Sequence, residues 1–469
     1  MIFTSLHFAA FFAILAILLS LFKKGDTRET LLVGASYYFY SVWDYRFLIL
    51  LISYTLLGWI LGITLESATS KLRRKCLLAF GISMSVGGLF FFKYAELFYR
   101  TWFQLTDQQE PKALGIVLPV AISFTTFEFI SYLVDIYRGD VRAARSLRKF
   151  SLFMAFFPRL VAGPIIRPAA FLPQVAAPLS FDAKKIRKGS QLFLGGMILK
   201  LVGADNLANF VDTVYQDPGL YSTGTLVFAA ACYSAQIFCD FHGYTLMAIG
   251  LALVLGISLP ENFRMPYIAS SLTDFWRRWH ISLSSWLRDY LYIPLGGSRR
   301  GRLRNYFNLF LTMAIGGLWH GASWNFLIWG MLHGFFLLIE KLYSDFGPSS
   351  SGSGKHLPGR VFFGTISTFL LVTLLWIPFR SPDWHTTVSF LKGLVSPGEG
   401  IVWIQTQCVV VMVLLIGWHL AYIFAKDALQ RILPDENPAF KNYAWSLAGA
   451  IIILIFGAQI TSPFIYFQF

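Results

Sequence analysis

The sequence predicts an all-α, polytopic integral membrane protein, on three observations. Of its 469 residues 56% are hydrophobic and only 14% charged, against about 25% charged in soluble domains. Apolar runs long enough to cross the roughly 30 Å hydrocarbon core recur from end to end. The positive charges that give a net +14 gather in short clusters between those runs, as they do in cytoplasmic loops.

Pairing apolar runs with the charges between them places crossings at 2–22, 31–46, 47–65, 76–99, 113–137, 189–213, 223–258, 305–319, 322–342, 361–380, 401–425 and 443–461, or about 11–12 transmembrane helices. The first run lacks a basic leader and a small-residue cleavage site, so a retained helix is expected. Segment 31–46, with Tyr37-Tyr38-Phe39-Tyr40, is short enough for either a crossing or an interfacial turn. Lys71-Leu72-Arg73-Arg74-Lys75, the Arg138–Lys149 loop, Lys184–Lys188 and Arg299–Arg304 should face the cytoplasm. Loops near Asp107–Glu110 and Gln216–Gly224 carry hardly any positive charge and should lie outside. An N-terminus outside satisfies all of these placements.

Two stretches fit poorly as spanning helices. Phe150–Ile166 carries Pro158-Arg159 and Gly163-Pro164 between basic loops, which suits a re-entrant hairpin. Segment 262–304 is aromatic and basic, and predicts amphipathic helices at the interface with Trp276, Trp279 and Trp286 at headgroup depth. Pro348–Gly354, within a flexible loop over 344–360, has linker composition. The whole of 1–469 reads as one membrane-embedded domain. No internal repeat is visible, which weakens an inverted-repeat transporter. The four cysteines are scattered and form no CxxC, so neither a disulfide framework nor a metal knuckle is expected.

Ionisable groups in such runs are costly and mark function. His320 lies in Ile315-Gly-Gly-Leu-Trp-His-Gly-Ala-Ser-Trp-Asn325, where glycines admit close approach and Trp319, Trp324 and Asn325 flank it. Desolvation there favours a neutral imidazole, the form a general base needs; a core histidine bonded to a neighbouring helix is the plain alternative. In Phe275-Trp-Arg-Arg-Trp-His280, Trp276, Trp279 and His280 recur at i, i+3, i+4 and predict one helical face. Arg277, Arg278 and Arg288 could hold a polyanionic donor or merely anionic lipid. Gln236, Asp240 and His242 interrupt an apolar run with Cys239; HxxxH and HExxH spacings are absent, so a polar channel lining or packing network is expected before a metal. Glu128 and Asp135 suit pairing with Arg159 or Arg167. His333 and His419 read as packing residues. No Walker A, Gly-x-Ser-x-Gly or dinucleotide motif occurs, and nothing points to nucleic acid.

The chain resembles the membrane-bound O-acyltransferase family, in its bacterial alginate O-acetyltransferase-like branch. The likeness runs nearly end to end. It is carried by Leu118-Pro-Val-Ala-Ile-Ser-Phe124, Phe157-Pro-Arg-Leu-Val-Ala-Gly-Pro164, Tyr233–Asp240, Pro260-Glu-Asn-Phe263, Asp274–Gly297, Gly316–Gly321 and the closing Phe464–Phe469. The resemblance implies a central tunnel with His320 as the catalytic histidine and His280 at a second characteristic polar position. It implies acetyl-CoA as donor substrate, with no permanently bound cofactor. It also implies a polysaccharide acceptor of the alginate, cellulose or peptidoglycan type, an extracytoplasmic partner protein, and a place in the bacterial inner membrane. Asp240 stands where the branch has an aspartate, but His242 replaces an expected small residue. A non-catalytic transporter or flippase of an acyl or glycan carrier is the rival reading, and it leaves His320 unexplained.

Overall fold

The computed structural model describes residues 1–22, 24–106, 112–161, 163–177, 182–346, 358–396, 399–424, 439–458 and 462–465. The expected linker Pro348–Gly354 and the Asp107–Glu110 loop lie outside them. The described residues are helical throughout, with one isolated bridge, Tyr221 to Ile401, in place of any strand.

Six helices among them are long and apolar enough to cross a membrane: Tyr45–Ser67, Lys71–Leu105, Thr223–Val254, Trp324–Phe346, Gly359–Arg380 and Thr406–Phe424. Leu6–Leu21 is apolar but shorter. Other expected crossings fall on shorter or interrupted helices among the described residues. Helices begin late or break: Ile122–Arg138 starts nine residues into the expected 113–137, and Ala183–Gln216 is interrupted by a wide π-turn at Leu199–Ala204. The spans expose Ile49, Phe91, Val413 and Leu414, a surface that water would penalise and lipid tails accept. The protein is therefore a multi-pass membrane protein. A helix at Trp384–Val395, capped by Asp383, was not expected.

The chain forms two compact units, Met1–Phe193 with Thr245–Pro260, and Leu194–Tyr244 with Glu261–Phe469. In the first, Ile122–Arg138 packs on Tyr45–Ser67 and Lys71–Leu89. Its Glu128 meets Arg159 in a buried ion pair, one of the pairings the sequence offered; Phe153 and Phe171 cover the guanidinium at 5.4 and 5.2 Å. The proline-containing stretch breaks as expected: Leu147–Ala155 ends at Phe156 and one short turn, Phe157–Leu160, follows.

In the second unit Arg302–His320 lies along Trp324–Phe346. Gly317 and Gly330 make that approach possible: a Cβ on Gly317 would sit 2.3 Å from the Phe326 carbonyl oxygen and 2.8 Å from the Gly330 Cα. Segment 262–304 is broken into short helices, Leu272–Arg278, Ile281–Leu287 and a π-turn at Arg288–Tyr292, but one expectation about them fails. The first helix ends before Trp279, which is extended, and His280 adopts φ +43°, so Trp276, Trp279 and His280 share no helical face. Trp279 and Trp286 are buried among protein side chains. The 3.6-residue pattern continues across a break that local backbone, not hydrophobicity, decides.

Candidate active site

Within the second unit a cavity of about 580 Å³ is lined by His320, Gly316, Thr312 and Met313 of one helix, and by Trp329, Leu337, Glu340 and Lys341 of its neighbour. Trp276, Arg277, Leu283, Leu287 and Arg288 supply much of the remaining wall. His320 closes the Arg302–His320 helix, so its backbone turns away just where its ring meets the cavity. Trp319, Trp329 and Phe379 surround that ring at centroid distances of 5.0, 5.1 and 5.3 Å. The setting is aromatic and only 5% exposed.

The structure brings His320, Trp276, Arg277 and Arg288 to this cavity and leaves the other expected site residues off its wall. Arg278 is tied to Asp274 at 2.9 Å. Trp279 stacks on Phe275 at 5.5 Å. Trp319 lies between the two histidines, 6.0 Å from His280 and 5.0 Å from His320. Asn325 is a fastener: its Nδ2 donates to the Ser381 carbonyl at 3.1 Å and to Thr387 Oγ1 at 3.3 Å. Gln236 is buried in the Thr223–Val254 helix.

Asp240 belongs to a separate charged cluster. Lys200 Nζ lies 2.8 Å from Asp205 Oδ1, 2.8 Å from Asp240 Oδ1 and 2.9 Å from the Ser462 carbonyl. Asp240 Oδ2 also accepts the Ile465 amide at 2.7 Å. Two carboxylates and one carbonyl thus surround a single buried ammonium.

His280 is fully buried. Its Nδ1 is 3.1 Å from Asn262 Oδ1, and Phe241 meets its ring edge-on at 4.7 Å. Burial pushes the imidazole down to about 3, so His280 is neutral at pH 7.

Sequence reading missed several residues of this wall. Glu340 accepts the amides of Leu272 at 3.0 Å and Thr273 at 3.2 Å, anchoring the start of the Leu272–Arg278 helix. A carboxylate in an apolar run was the available signal. His333, read as packing, accepts a hydrogen bond from Trp276 Nε1 at 3.3 Å, and so sets one tryptophan of the cavity. Next to the main cavity, Arg288, Tyr292, Arg299 and Arg300 line a smaller one of about 420 Å³ with the glycine-rich turn 296–297.

A histidine in a water-poor aromatic wall, in one cavity with two arginines, can accept a proton beside a bound anionic ligand. Comparisons with known proteins find acyltransferases. Residues 142–351 match the membrane-bound O-acyltransferase family. A probable alginate O-acetylase of Pseudomonas putida is 38% identical over 94% of this chain and 94% of its own. A peptidoglycan O-acetyltransferase of Helicobacter pylori is 35% identical, covering 78% and 73%. A teichoic acid D-alanyltransferase of Bacillus subtilis is 30% identical, covering 57% and 69%.

Proposed function

Because the chain belongs to the membrane-bound O-acyltransferase family, in its alginate O-acetylase-like branch, we propose that this acyltransferase draws acetyl groups from cytoplasmic acetyl-CoA and passes them outward. Their destination is O-acetylation of an extracytoplasmic polysaccharide, with an extracytoplasmic partner protein, at the bacterial inner membrane. The observation that carries this reading is a single cavity holding both His320 and the cations Arg277 and Arg288. Guanidinium groups hold phosphates through charge-assisted, paired hydrogen bonds, and Leu283, Leu287 and Met313 offer an apolar wall to the pantetheine arm. Arg278 drops out of the donor site, since Asp274 already occupies it. Arg299 and Arg300, beside Arg288 in the smaller cavity, take its place for the outer phosphates.

In this scheme His320 takes the proton of the acceptor hydroxyl as its oxygen bonds to the thioester carbonyl carbon. The carbon–sulfur bond breaks, and the imidazolium returns its proton to the departing thiolate, so CoA-SH leaves and the base is restored. The rings of Trp319, Trp329 and Phe379 keep bulk water from competing for the acetyl group.

The test is coenzyme A release by the purified protein given radiolabelled acetyl-CoA, with and without a glycan acceptor and partner. Acceptor-dependent release with label on the glycan is expected. Transport of intact donor or glycan without release would replace the enzyme by the flippase reading.

A further inference from the structure

The hydrogen bonds around His280 fix which of its nitrogens carries the proton. Asn262 Oδ1 lies 3.2 Å from the backbone N of Ser282 and 2.9 Å from its hydroxyl. A backbone N–H can only donate, so the Asn262 atom facing it is the carbonyl oxygen and not the amide nitrogen. That same oxygen is 3.1 Å from His280 Nδ1. Since it can only accept, Nδ1 must carry a hydrogen. A neutral imidazole has one ring hydrogen, so Nε2 is bare. Its lone pair is buried and has no hydrogen-bond partner among the described residues, although leaving a buried acceptor unsatisfied is costly.

The backbone holds this arrangement at further expense. His280 sits at φ +43°, a left-handed conformation that is strained for a non-glycine residue. Ile281 N donates to the Asn262 carbonyl at 3.0 Å and Arg264 N to the Arg278 carbonyl at 2.9 Å. These bonds lash 262–264 to 278–282, and only one tryptophan ring, Trp319, separates His280 from His320.

We infer that Asn262 is a positioning residue that locks His280 as the Nδ1–H tautomer and so presents Nε2 as a second, buried proton acceptor for acyl transfer. The role rests on the acyl-transfer reading above; the tautomer rests on the bonds alone.

The experiment separates the two. The full chain is labelled with ¹⁵N-histidine, and its His280 signals are identified by comparison with His280→Gln. In the wild type, Nε2 should resonate as a bare nitrogen and Nδ1 as a protonated one. In Asn262→Ala this pattern should be lost. The kcat for acetyl transfer should fall about 10²-fold, the scale of acid–base help, while the KM for acetyl-CoA stays within about twofold, since ground-state binding is untouched. Asn262→Asp retains the acceptor oxygen and should recover much of kcat.

A protonated Nε2 in the wild type would overturn the assignment, and that spectrum decides even if Asn262→Ala does not fold. A folded Asn262→Ala with unchanged kcat would overturn the positioning role. A wild type that shows the expected tautomer yet transfers no acetyl group removes the acyl-transfer role and leaves the tautomer standing, which tells the two failures apart.

Discussion

The charged clusters and the cavity wall bury polar groups in opposite ways. Glu128 pairs with Arg159 in one unit, and Lys200 is shared between Asp205 and Asp240 in the other. At the cavity, His320 is ringed by Trp319, Trp329 and Phe379 and opens on empty volume. Paired polarity rigidifies, because removing either partner strands a charge. Polarity set among rings beside a void stays available for a ligand. The difference offers a way to tell scaffold from chemistry without appeal to position in the chain, with Asp240 in an ion-paired cluster and His320 on the cavity wall.

Four experiments break or sharpen that contrast. His320→Ala should lower acetyl transfer by about 10²–10⁴-fold at equal expression and thermal stability, measured in membranes with radiolabelled acetyl-CoA. A folded, fully active variant would move His320 to the scaffold side.

Lys200→Met should do the reverse. It leaves two carboxylates facing each other, and unfolding in detergent should become easier by about 3–5 kcal/mol. Adding Asp205→Asn and Asp240→Asn should restore most of the loss. Transfer per folded molecule should hardly change; a selective loss of transfer would return Asp240 to the site.

His280 gives a smaller, pH-dependent effect. Its imidazole is held at about 3 in the fold against an ordinary value of 6.5. Above pH 6.5 it is neutral in both states and its contribution to stability is complete. As pH falls from 6.5 towards 3, the unfolded chain binds a proton that the folded chain refuses, and stability is lost. The difference between wild type and His280→Phe should therefore shift by about 2 kcal/mol between pH 7 and pH 5, read by thermal unfolding at each pH.

Trp276→Phe should have the least effect. It removes the hydrogen bond to His333 Nδ1, worth about 0.5–1.5 kcal/mol. The expected outcome is a few-fold rise in KM for acetyl-CoA with kcat nearly unchanged.

Much of this contrast was legible in the sequence, and the exceptions share a cause. Membrane character follows from composition, and His320 stands out because glycines and tryptophans are unusual company for a histidine. The Glu128–Arg159 pair was within reach because opposite charges in apolar runs must find each other. Lys200 was passed over although it lies near the middle of the expected crossing 189–213, because no counter-charge stands at helical spacing from it. Its partner Asp205 is five residues on, off the face that α-helical spacing of three or four would align. The wide turn at Leu199–Ala204 restores that alignment, since a π-turn places i and i+5 together. The break at Trp279–His280 was hidden for a similar reason, because a left-handed residue leaves no mark in hydrophobic periodicity. Asn262 was seen as part of a motif, but its work depends on a neighbour eighteen positions away, which only the folded backbone reveals.

The wide turn also bears on the order in which the protein is made. Lys200 leaves the ribosome well before Asp240, and long before Ser462 and Ile465. A cation entering an apolar phase alone costs about 2.5–3.5 kcal/mol even on insertion scales. Asp205 arrives five residues later, on the same turn of the same helix, so the segment carries its own counter-ion from the moment it coils. Asp240 then docks against a lysine already half paired, helped by Gly243, where a Cβ would sit only 2.8 Å from the Gly196 carbonyl oxygen and 3.1 Å from the Lys200 amide nitrogen. The cluster is a sequence of deliveries, each completing the solvation that the previous one began.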